Sequence, residues 1–239
     1  MLTLSDGTVS LLLGTAAMVA SFHTLIGVDH SVPFIVLGWA RGWSLRRTLG
    51  ITGLCGMVHV ASSVLIASFG VLLGVALDRL TWLESARGQV AAALMIGFGL
   101  VYAAYGFWRA IRRHTHEHLH THVDGTVQIH RHDNHGEHLY PHSVGRGVTP
   151  WALFLVFAFG PCEALIPLIM VPAVERSWLL LAGVIGVFGF FTVGAMLAAV
   201  TLGYLGLAHV RLRGVERWID VLAGLTIVLS GAAVLFLGI

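Results

Sequence analysis

The sequence predicts an all-α, polytopic membrane protein with about six transmembrane helices. Of the 239 residues, 56% are hydrophobic and only 11% are charged, whereas a soluble domain carries about 25% charged residues. Apolar stretches of about 20 residues or more, each long enough to cross a bilayer as a helix, recur along most of the chain. The apolar runs fall at 8–40, 48–77, 89–108, 150–174, 178–208 and 218–239.

The first and fourth runs contain residues that interrupt helices. The first run has some 33 residues, about 50 Å of helix, which exceeds the ~30 Å hydrocarbon core. Gly27 and Pro33 lie near its middle, so we expect a break there. The fourth run is interrupted in the same way by Gly160, Pro161, Pro167 and Pro172.

These two irregular runs open two halves of three spans each. An odd number of spans per half makes the halves antiparallel, so the sequence predicts two inverted three-helix repeats. The domains are then 1–108 for the first half, 109–148 for a central loop and 149–239 for the second half. Paired broken helices in an inverted repeat are typical of the binding site of a secondary transporter.

Arginine positions predict the orientation, because positively charged residues accumulate on the cytoplasmic side. Eleven arginines lie in the loop at 41–47, the segment at 109–148 and the loop at 209–217. Both termini are therefore predicted outside and the central loop in the cytoplasm, with the chain in the inner membrane of a bacterial or archaeal cell. The three arginines assigned to the opposite side are Arg79, Arg87 and Arg176.

Ionisable side chains inside the apolar runs are the candidate functional residues. Ten of the twelve acidic residues are assigned to loops or span ends, which leaves Asp29 and Glu163 deep. An ionisable group within the bilayer is costly and is a functional candidate by default. Asp29 precedes His30 and Glu163 follows Cys162, so each half offers a carboxylate beside a softer ligand at its own helix break. His59, in the second span, is a further candidate.

His23 joins this set only if the first helix unwinds. In a straight helix His23 and His30 lie about 10 Å apart along the axis, whereas metal–nitrogen bonds are about 2.0–2.1 Å long. Unwinding near Gly27 would bring both onto one ion or make them successive stops on a path. Imidazole, thiolate and carboxylate together suit zinc, nickel, cobalt, iron or copper. The predicted metal ligands are His23, Asp29, His30, His59, Cys162 and Glu163.

Several of these residues also have a structural interpretation. A lone intramembrane histidine such as His59 is often a hydrogen-bonding residue between helices. Cys162 is also explained as a small apolar packing residue. Asp29 and Glu163 would serve equally to carry protons in a carrier of another substrate.

The central segment is rich in histidine, with ten of the fourteen between residues 114 and 142. Its polar composition and its histidine at every second residue predict a flexible, largely disordered loop. Imidazoles at this density chelate first-row divalent ions, so we expect the loop to capture, buffer or sense metal. The loop histidines are His114, His116, His118, His120, His122, His130, His132, His135, His138 and His142.

Motifs of other chemistries are absent. The sequence has no P-loop, no Gly-x-Ser-x-Gly and no His-Glu-x-x-His, so it predicts neither an enzyme nor a nucleotide-driven pump. No resident cofactor is expected, and nothing supports nucleic-acid binding. The expected partners are the lipid bilayer and a transition-metal ion.

The string His23-x5-Asp29-His30, followed by Pro33, resembles the first-span signature of the nickel/cobalt permease superfamily. Its spacing is most similar to the hydrogenase/urease accessory permeases, which carry His-Pro-x-x-Gly-x-Asp-His; here Thr24 replaces the proline. A histidine-rich loop between two halves is similar to the nickel/cobalt efflux branch. The Gly-Pro-Cys-Glu string in the fourth span is similar to urease-accessory-type and sulfite-exporter-like transporters and to thiol-electron carriers. The resemblance implies transport of nickel or cobalt.

The sequence thus predicts a secondary transporter of a divalent transition metal, coupled to a proton or ion gradient, with export slightly favoured. Nickel or cobalt is favoured by the resemblance alone, and zinc, iron or copper remains open. The main alternative is a membrane thiol–disulfide electron carrier, which needs two cysteines that meet; Cys55 and Cys162 lie in non-equivalent spans. A metal-binding accessory protein that does not transport and a sulfite-type anion exporter are further alternatives.

Overall fold

The computed structural model describes residues 6–73, 77–112, 116–121, 127–132, 148–160, 162, 164–208 and 216–237. Within these ranges the chain forms eight α-helices, one 3-10 turn and two short strands. The helices are α1 (Asp6–Ile26), α2 (Val28–Ala40), α3 (Leu45–Leu72), α4 (Leu77–Arg112), α5 (Val148–Phe159), α6 (Leu165–Val174), α7 (Trp178–Ala208) and α8 (Ile219–Leu237). The 3-10 turn is Glu216–Trp218, directly before α8.

Five of the helices are long and apolar enough to cross a membrane: α1, α3, α4, α7 and α8. Their outer faces carry many large apolar side chains, among them Leu179, which is 89% exposed, and Phe236, which is 79% exposed. A water-soluble monomer rarely exposes so extensive an apolar surface. The helices are consistent with a multi-pass membrane protein.

The predicted interruptions are confirmed near Gly27 in the first run and near Gly160 in the fourth run, whereas Pro167 and Pro172 do not interrupt the fourth run, because both lie inside α6. In the first run, α1 ends at Ile26 and α2 begins at Val28, because Gly27 between them adopts an extended conformation with φ −65° and ψ 100°. Pro33 remains inside α2. The fourth run divides into the short helices α5 and α6, with Gly160, Cys162 and Ala164 described between them.

Helices α4 and α8 pack along each other in antiparallel directions through glycine. A Cβ added to Gly99 would lie 2.8 Å from the Gly224 carbonyl oxygen, and one added to Gly231 would lie 3.0 Å from the Ala92 carbonyl oxygen. Only the absence of a side chain allows backbones to approach this closely, which is the packing that small residues permit between membrane helices. We call this contact the glycine seam.

Helix α7 packs against four other helices, α1, α2, α3 and α6. It packs against α3 in antiparallel directions, with Gly56 next to Met196 and Gly189 next to Val60. The broken first run follows α7 in the parallel direction, because Leu13 of α1 lies at Gly183 and Ile35 of α2 lies at Gly203.

Helices from the two ends of the chain pack against each other. Helix α1 packs against α7 and α5 packs against α3, while α2 packs against α8 and α6 packs against α4. Helices α3 and α7 also contact each other, as do α4 and α8.

Two stretches of the histidine-rich segment, for which a flexible loop is predicted, form strands. Residues His116–Thr121 (β1) and Val127–His132 (β2) pair as an antiparallel hairpin, with His116 opposite His132 and His118 opposite His130. Alternation of residue types has the period of a strand, and β2 contains the β-branched Val127 and Ile129. The other five loop histidines, His114, His122, His135, His138 and His142, lie outside the described residues.

The prediction that only Asp29 and Glu163 lie deep is wrong. Helix α4 begins at Leu77, well before the predicted start of the third run at residue 89, so Glu84 lies within the helix and is 0% exposed. Asp220, in the first turn of α8, is 6% exposed. Arg87 was assigned to a loop, yet it lies in α4 beside Glu84.

Candidate metal centre

Three histidines from three helices converge where the first run breaks. His23 comes from the last turn of α1, His30 from the first turn of α2 and His59 from α3. One ligand nitrogen from each lies within 4.8 Å of the others. The ring centroids of His23 and His30 are 5.0 Å apart, and those of His30 and His59 are 5.1 Å apart. Such an arrangement places three imidazoles around one point.

The interruption at Gly27 brings His23 close to His30. The Gly27 amide still donates to the His23 carbonyl at 2.9 Å, which completes the last turn of α1. The extended ψ of Gly27 then redirects the chain, and the His30 amide donates back to the Gly27 carbonyl at 3.1 Å. Seven residues of straight helix would have separated the rings by about 10 Å along the axis.

Asp29 orients the central imidazole. Its Oδ1 lies 2.8 Å from His30 Nδ1, so Nδ1–H donates a hydrogen bond to the carboxylate, and in the neutral imidazole the lone pair is then on Nε2. A carboxylate in this position fixes the tautomer and the ring orientation of a metal-binding histidine and raises its basicity. A Cβ at Gly27 would overlap His30 Nδ1 and lie 2.9 Å from Asp29 Oδ1, so the pair requires glycine at residue 27.

The ligand nitrogens are buried and have no protein partner. His30 and His59 are each 2% exposed. The Nε2 atoms of His23 and His30 and both ring nitrogens of His59 lack a hydrogen-bond partner. Buried polar atoms are nearly always paired, and each orphan calls for an explanation such as a bound ion. The three clustered histidines carry four such nitrogens, which makes the cluster a candidate cation site.

Aromatic and glycine residues from the second half enclose the cluster. The Phe157 ring, in α5, lies 6.5 Å from the His30 ring and 6.1 Å from the His59 ring. A Cβ at Gly160 would lie 3.0 Å from His59 Nδ1, so a larger residue would press on the imidazole. The breaks of both halves therefore lie at the same cluster, Gly27 on one side and Gly160 on the other.

Three neutral imidazoles form a ligand set for first-row transition metals. Zinc, copper, iron and nickel accept imidazole nitrogen, whereas magnesium and calcium prefer oxygen. Sites with three histidines keep a fourth position for water or another oxygen. The Asp29 carboxylate, one hydrogen bond away, supplies part of the negative charge that a divalent ion requires.

The other predicted ligands are placed differently. Asp29 contacts His30 rather than joining the group of three, and the Cys162 thiol, although buried, is also outside that group. Glu163 lies outside the described residues. The hairpin histidines are on a separate element.

A second polar network, absent from the sequence prediction, occupies the break between α5 and α6. Glu84 Oε2 accepts from the Cys162 amide and from Ser63 Oγ, both at 3.1 Å. Arg87 forms an ion pair with Glu84 and donates to the carbonyls of Ala158 at 3.1 Å and Gly160 at 3.3 Å.

The two charges of this network match the two helix ends. Carbonyls at the C-terminus of α5 carry partial negative charge and meet the Arg87 guanidinium, whereas an amide preceding α6 carries partial positive charge and meets Glu84. We call this pair the break clamp. Its sequence signal is an i, i+3 pair of opposite charges next to an apolar run. From the sequence alone this pair falls in a loop, because the predicted third run begins only at residue 89.

Asp220 forms a third polar cluster at one end of the glycine seam. Its two carboxylate oxygens accept from the Tyr102 hydroxyl at 2.9 Å and from Arg109 at 3.0 Å. The Arg41 guanidinium, just after α2, stacks over the Tyr102 ring at 5.0 Å from its centroid. These contacts join the ends of α2, α4 and α8.

The two cysteines are free and buried, and they pack in different hydrophobic clusters. Cys55 packs with residues such as Phe34 and Met196, whereas Cys162 packs with residues such as Leu165 and Phe188.

No protein-family model, curated protein or solved structure matches this chain.

Proposed function

We propose that this chain is a secondary transporter of a divalent transition-metal cation and that His23, His30 and His59 form its intramembrane binding site. The observation that carries the proposal is the convergence of three imidazoles, two buried and one half-buried, which offer ligand atoms within 4.8 Å of one another and carry ring nitrogens with no protein partner. An unpaired polar group within the bilayer is retained for function. Nickel or cobalt is favoured by the resemblance of the string His23-x5-Asp29-His30 to the nickel/cobalt permeases.

An inverted repeat of two three-span halves supports a transporter. All four glycines of α3 in the first half, and Gly27 at its break, have a glycine counterpart exactly one repeat interval of 133 residues later in the chain. If the halves are exchanged, the α1–α7 contact becomes α5–α3 and the α2–α8 contact becomes α6–α4; the presence of all four contacts supports the same relation. In this proposal α1–α2 and α5–α6 are the two broken spans, and the site lies where their breaks meet, as in other transporters of this type. The glycine pairs are Gly27/Gly160, Gly50/Gly183, Gly53/Gly186, Gly56/Gly189 and Gly70/Gly203.

The proposed topology has both termini outside and the 109–148 segment in the cytoplasm. With Arg87 in the break clamp, the opposite side retains only Arg79 and Arg176, which strengthens the arginine bias. A single cysteine at Ser143, on a Cys55→Ser and Cys162→Ser background, tests the topology. We expect it to resist an impermeant thiol reagent in intact cells and to react after permeabilisation. Labelling in intact cells would reverse the topology.

The histidine-rich segment is proposed to capture metal rather than to form the translocation site. Asparagine at all ten loop histidines should shift the metal concentration needed for transport while leaving flux at saturating metal. Loss of all flux at normal membrane abundance would contradict this division of roles.

Metal-resolved flux tests the function directly. Cells that express the wild type or His30→Ala at equal membrane abundance are loaded with nickel, cobalt, zinc, copper or iron, and the metal content is followed by mass spectrometry. We expect the wild type to change the content of at least one metal and His30→Ala to behave like cells without the protein. A fall in content denotes export, which we favour, and a rise denotes import. If cells with the wild type and cells without the protein have the same content of each of the five metals, the proposal is refuted.

The electron-carrier alternative is tested in the same cells. A thiol–disulfide carrier requires two cysteines whose Cα atoms approach within about 7 Å, whereas Cys55 and Cys162 pack in different clusters. The double variant Cys55→Ser, Cys162→Ser should therefore keep metal flux. Loss of metal flux in the double variant and also in each single serine variant would favour the electron carrier.

A further inference from the structure

Thr192, near the middle of α7, has a hydroxyl with no partner. The residue is 0% exposed and its Oγ1 lacks a hydrogen bond. A threonine inside a helix usually donates to the carbonyl four residues earlier. Thr201 in the same helix does so, with Oγ1 2.7 Å from the Leu197 carbonyl. The Thr192 hydroxyl is thus available to a partner other than its own helix.

Thr192 faces the helix that carries His59. The packing of α7 on α3 places Met196 at Gly56 and Gly189 at Val60. Thr192 lies three residues after Gly189 and four before Met196, so it shares their face of α7. His59 likewise lies between Gly56 and Val60 on α3, within the same stretch of the interface. Both His59 nitrogens and the Thr192 hydroxyl are therefore orphans at one helix crossing.

Thr192 is also the counterpart of His59 in the second half. The interval of 133 residues that relates five pairs of glycines carries His59 onto Thr192. In an inverted repeat, equivalent residues at the crossing of two equivalent helices lie on either side of the pseudo-two-fold axis. The same interval carries Asp29 onto Cys162 and His30 onto Glu163.

We infer that Thr192 is the second half's oxygen ligand to the metal site, which binds the ion directly or through one water. This inference rests on the proposed function and deepens it. Three imidazoles leave the fourth position of a tetrahedral site to water or another oxygen, and a hydroxyl both donates and accepts. An oxygen at this position makes the ligand set harder and selects nickel, cobalt or zinc over softer ions.

Binding by the purified full-length protein in detergent tests the inference, with Ni²⁺ and Zn²⁺ as titrants. Thr192→Val preserves the shape and removes the hydroxyl, so we expect affinity to fall about tenfold. Thr192→Ser should stay within about twofold of the wild type. Thr201→Val is the matched control, since its hydroxyl is satisfied within α7, and it should bind like the wild type.

Thr192→Cys gives a readout that packing alone would not change. Replacing oxygen by sulfur should raise the preference for the thiophilic ion Cd²⁺ over Ni²⁺ by about tenfold. The visible spectrum of bound Co²⁺ should also change in Thr192→Cys and not in Thr201→Val. These measurements do not depend on Thr192→Val folding normally.

The outcomes separate the two proposals. Wild-type protein that binds neither Ni²⁺ nor Zn²⁺ would overturn the metal site and the role of Thr192 with it. Wild-type binding together with an unchanged affinity in Thr192→Val would overturn the role of Thr192 alone. An unchanged Cd²⁺ to Ni²⁺ preference in Thr192→Cys would do the same.

Discussion

Asp29 Oδ1 lies 2.8 Å from His30 Nδ1, and this contact decides which nitrogen of His30 is free to bind a metal. The carboxylate accepts from Nδ1, Nε2 has no hydrogen-bond partner, and His30 is one of the three clustered histidines, with His23 and His59. A residue predicted from sequence to be a ligand thus acts, in this arrangement, on the ligand beside it.

Asp29→Asn should weaken metal binding without unfolding the protein. The amide still accepts a hydrogen bond but no longer polarises the imidazole with a full negative charge, and the loss of such a partner typically costs 10–100-fold in affinity. Calorimetric titration with Ni²⁺ measures the change. Asp6→Asn, at the exposed start of α1, is the control. An affinity within twofold of the wild type in Asp29→Asn would show that the carboxylate has no part in the site.

His59→Leu should separate binding from stability. Both His59 nitrogens are buried without a partner, and an unsatisfied buried polar group costs about 1–3 kcal/mol. The variant should therefore unfold at the same or a higher temperature than the wild type without metal. It should also lose the rise in unfolding temperature that added metal produces. A marked drop in metal-free stability would instead identify His59 as a structural residue.

Gly27→Ala should damage the site through the clash of its methyl group with the Asp29–His30 pair. We expect metal affinity to fall at least tenfold, because the pair must move to admit the methyl group. Gly14→Ala is the matched control in the same span, since its Cβ would meet nothing within 4 Å. It should be neutral or stabilise the helix by up to about 1 kcal/mol. Equal metal affinity in both variants would argue against the tight fit at the break.

Arg87→Met should destabilise the protein, because Glu84 would be left buried and uncompensated. Removal of one partner of a buried ion pair costs about 3–5 kcal/mol. The double variant Glu84→Gln, Arg87→Met should be less destabilised than the sum of the single variants, as measured by thermal unfolding. Arg79→Met, exposed in the same helix, should have little effect. Additive losses in the double variant would show that the two charges are not coupled.

Features close in sequence could be predicted, and features that depend on distant partners could not. Gly27 and Gly160 predicted both breaks because glycine and proline interrupt helices locally, and the spacing of His23 and His30 followed from helix geometry. The break clamp joins Glu84 to the Cys162 amide, 78 residues away, so no local pattern identifies the partner of the charged pair. The sequence does not identify Thr192 as a candidate, because threonine is common in apolar helices. Only the packing of α7 shows that its hydroxyl is unpaired.

The glycine seam has a mechanical consequence. Helices that pack through side chains can slide, because the side chains change rotamer as the helices move. Helices that pack backbone on backbone, as at Gly99 and Gly231, cannot adjust in this way. Helices α4 and α8 come from opposite halves, so the seam fastens the halves together as one stiff spine. In the proposed transporter, opening of the site to either side of the membrane would therefore come from tilting of the short segments α2, α5 and α6 relative to α4 and α8.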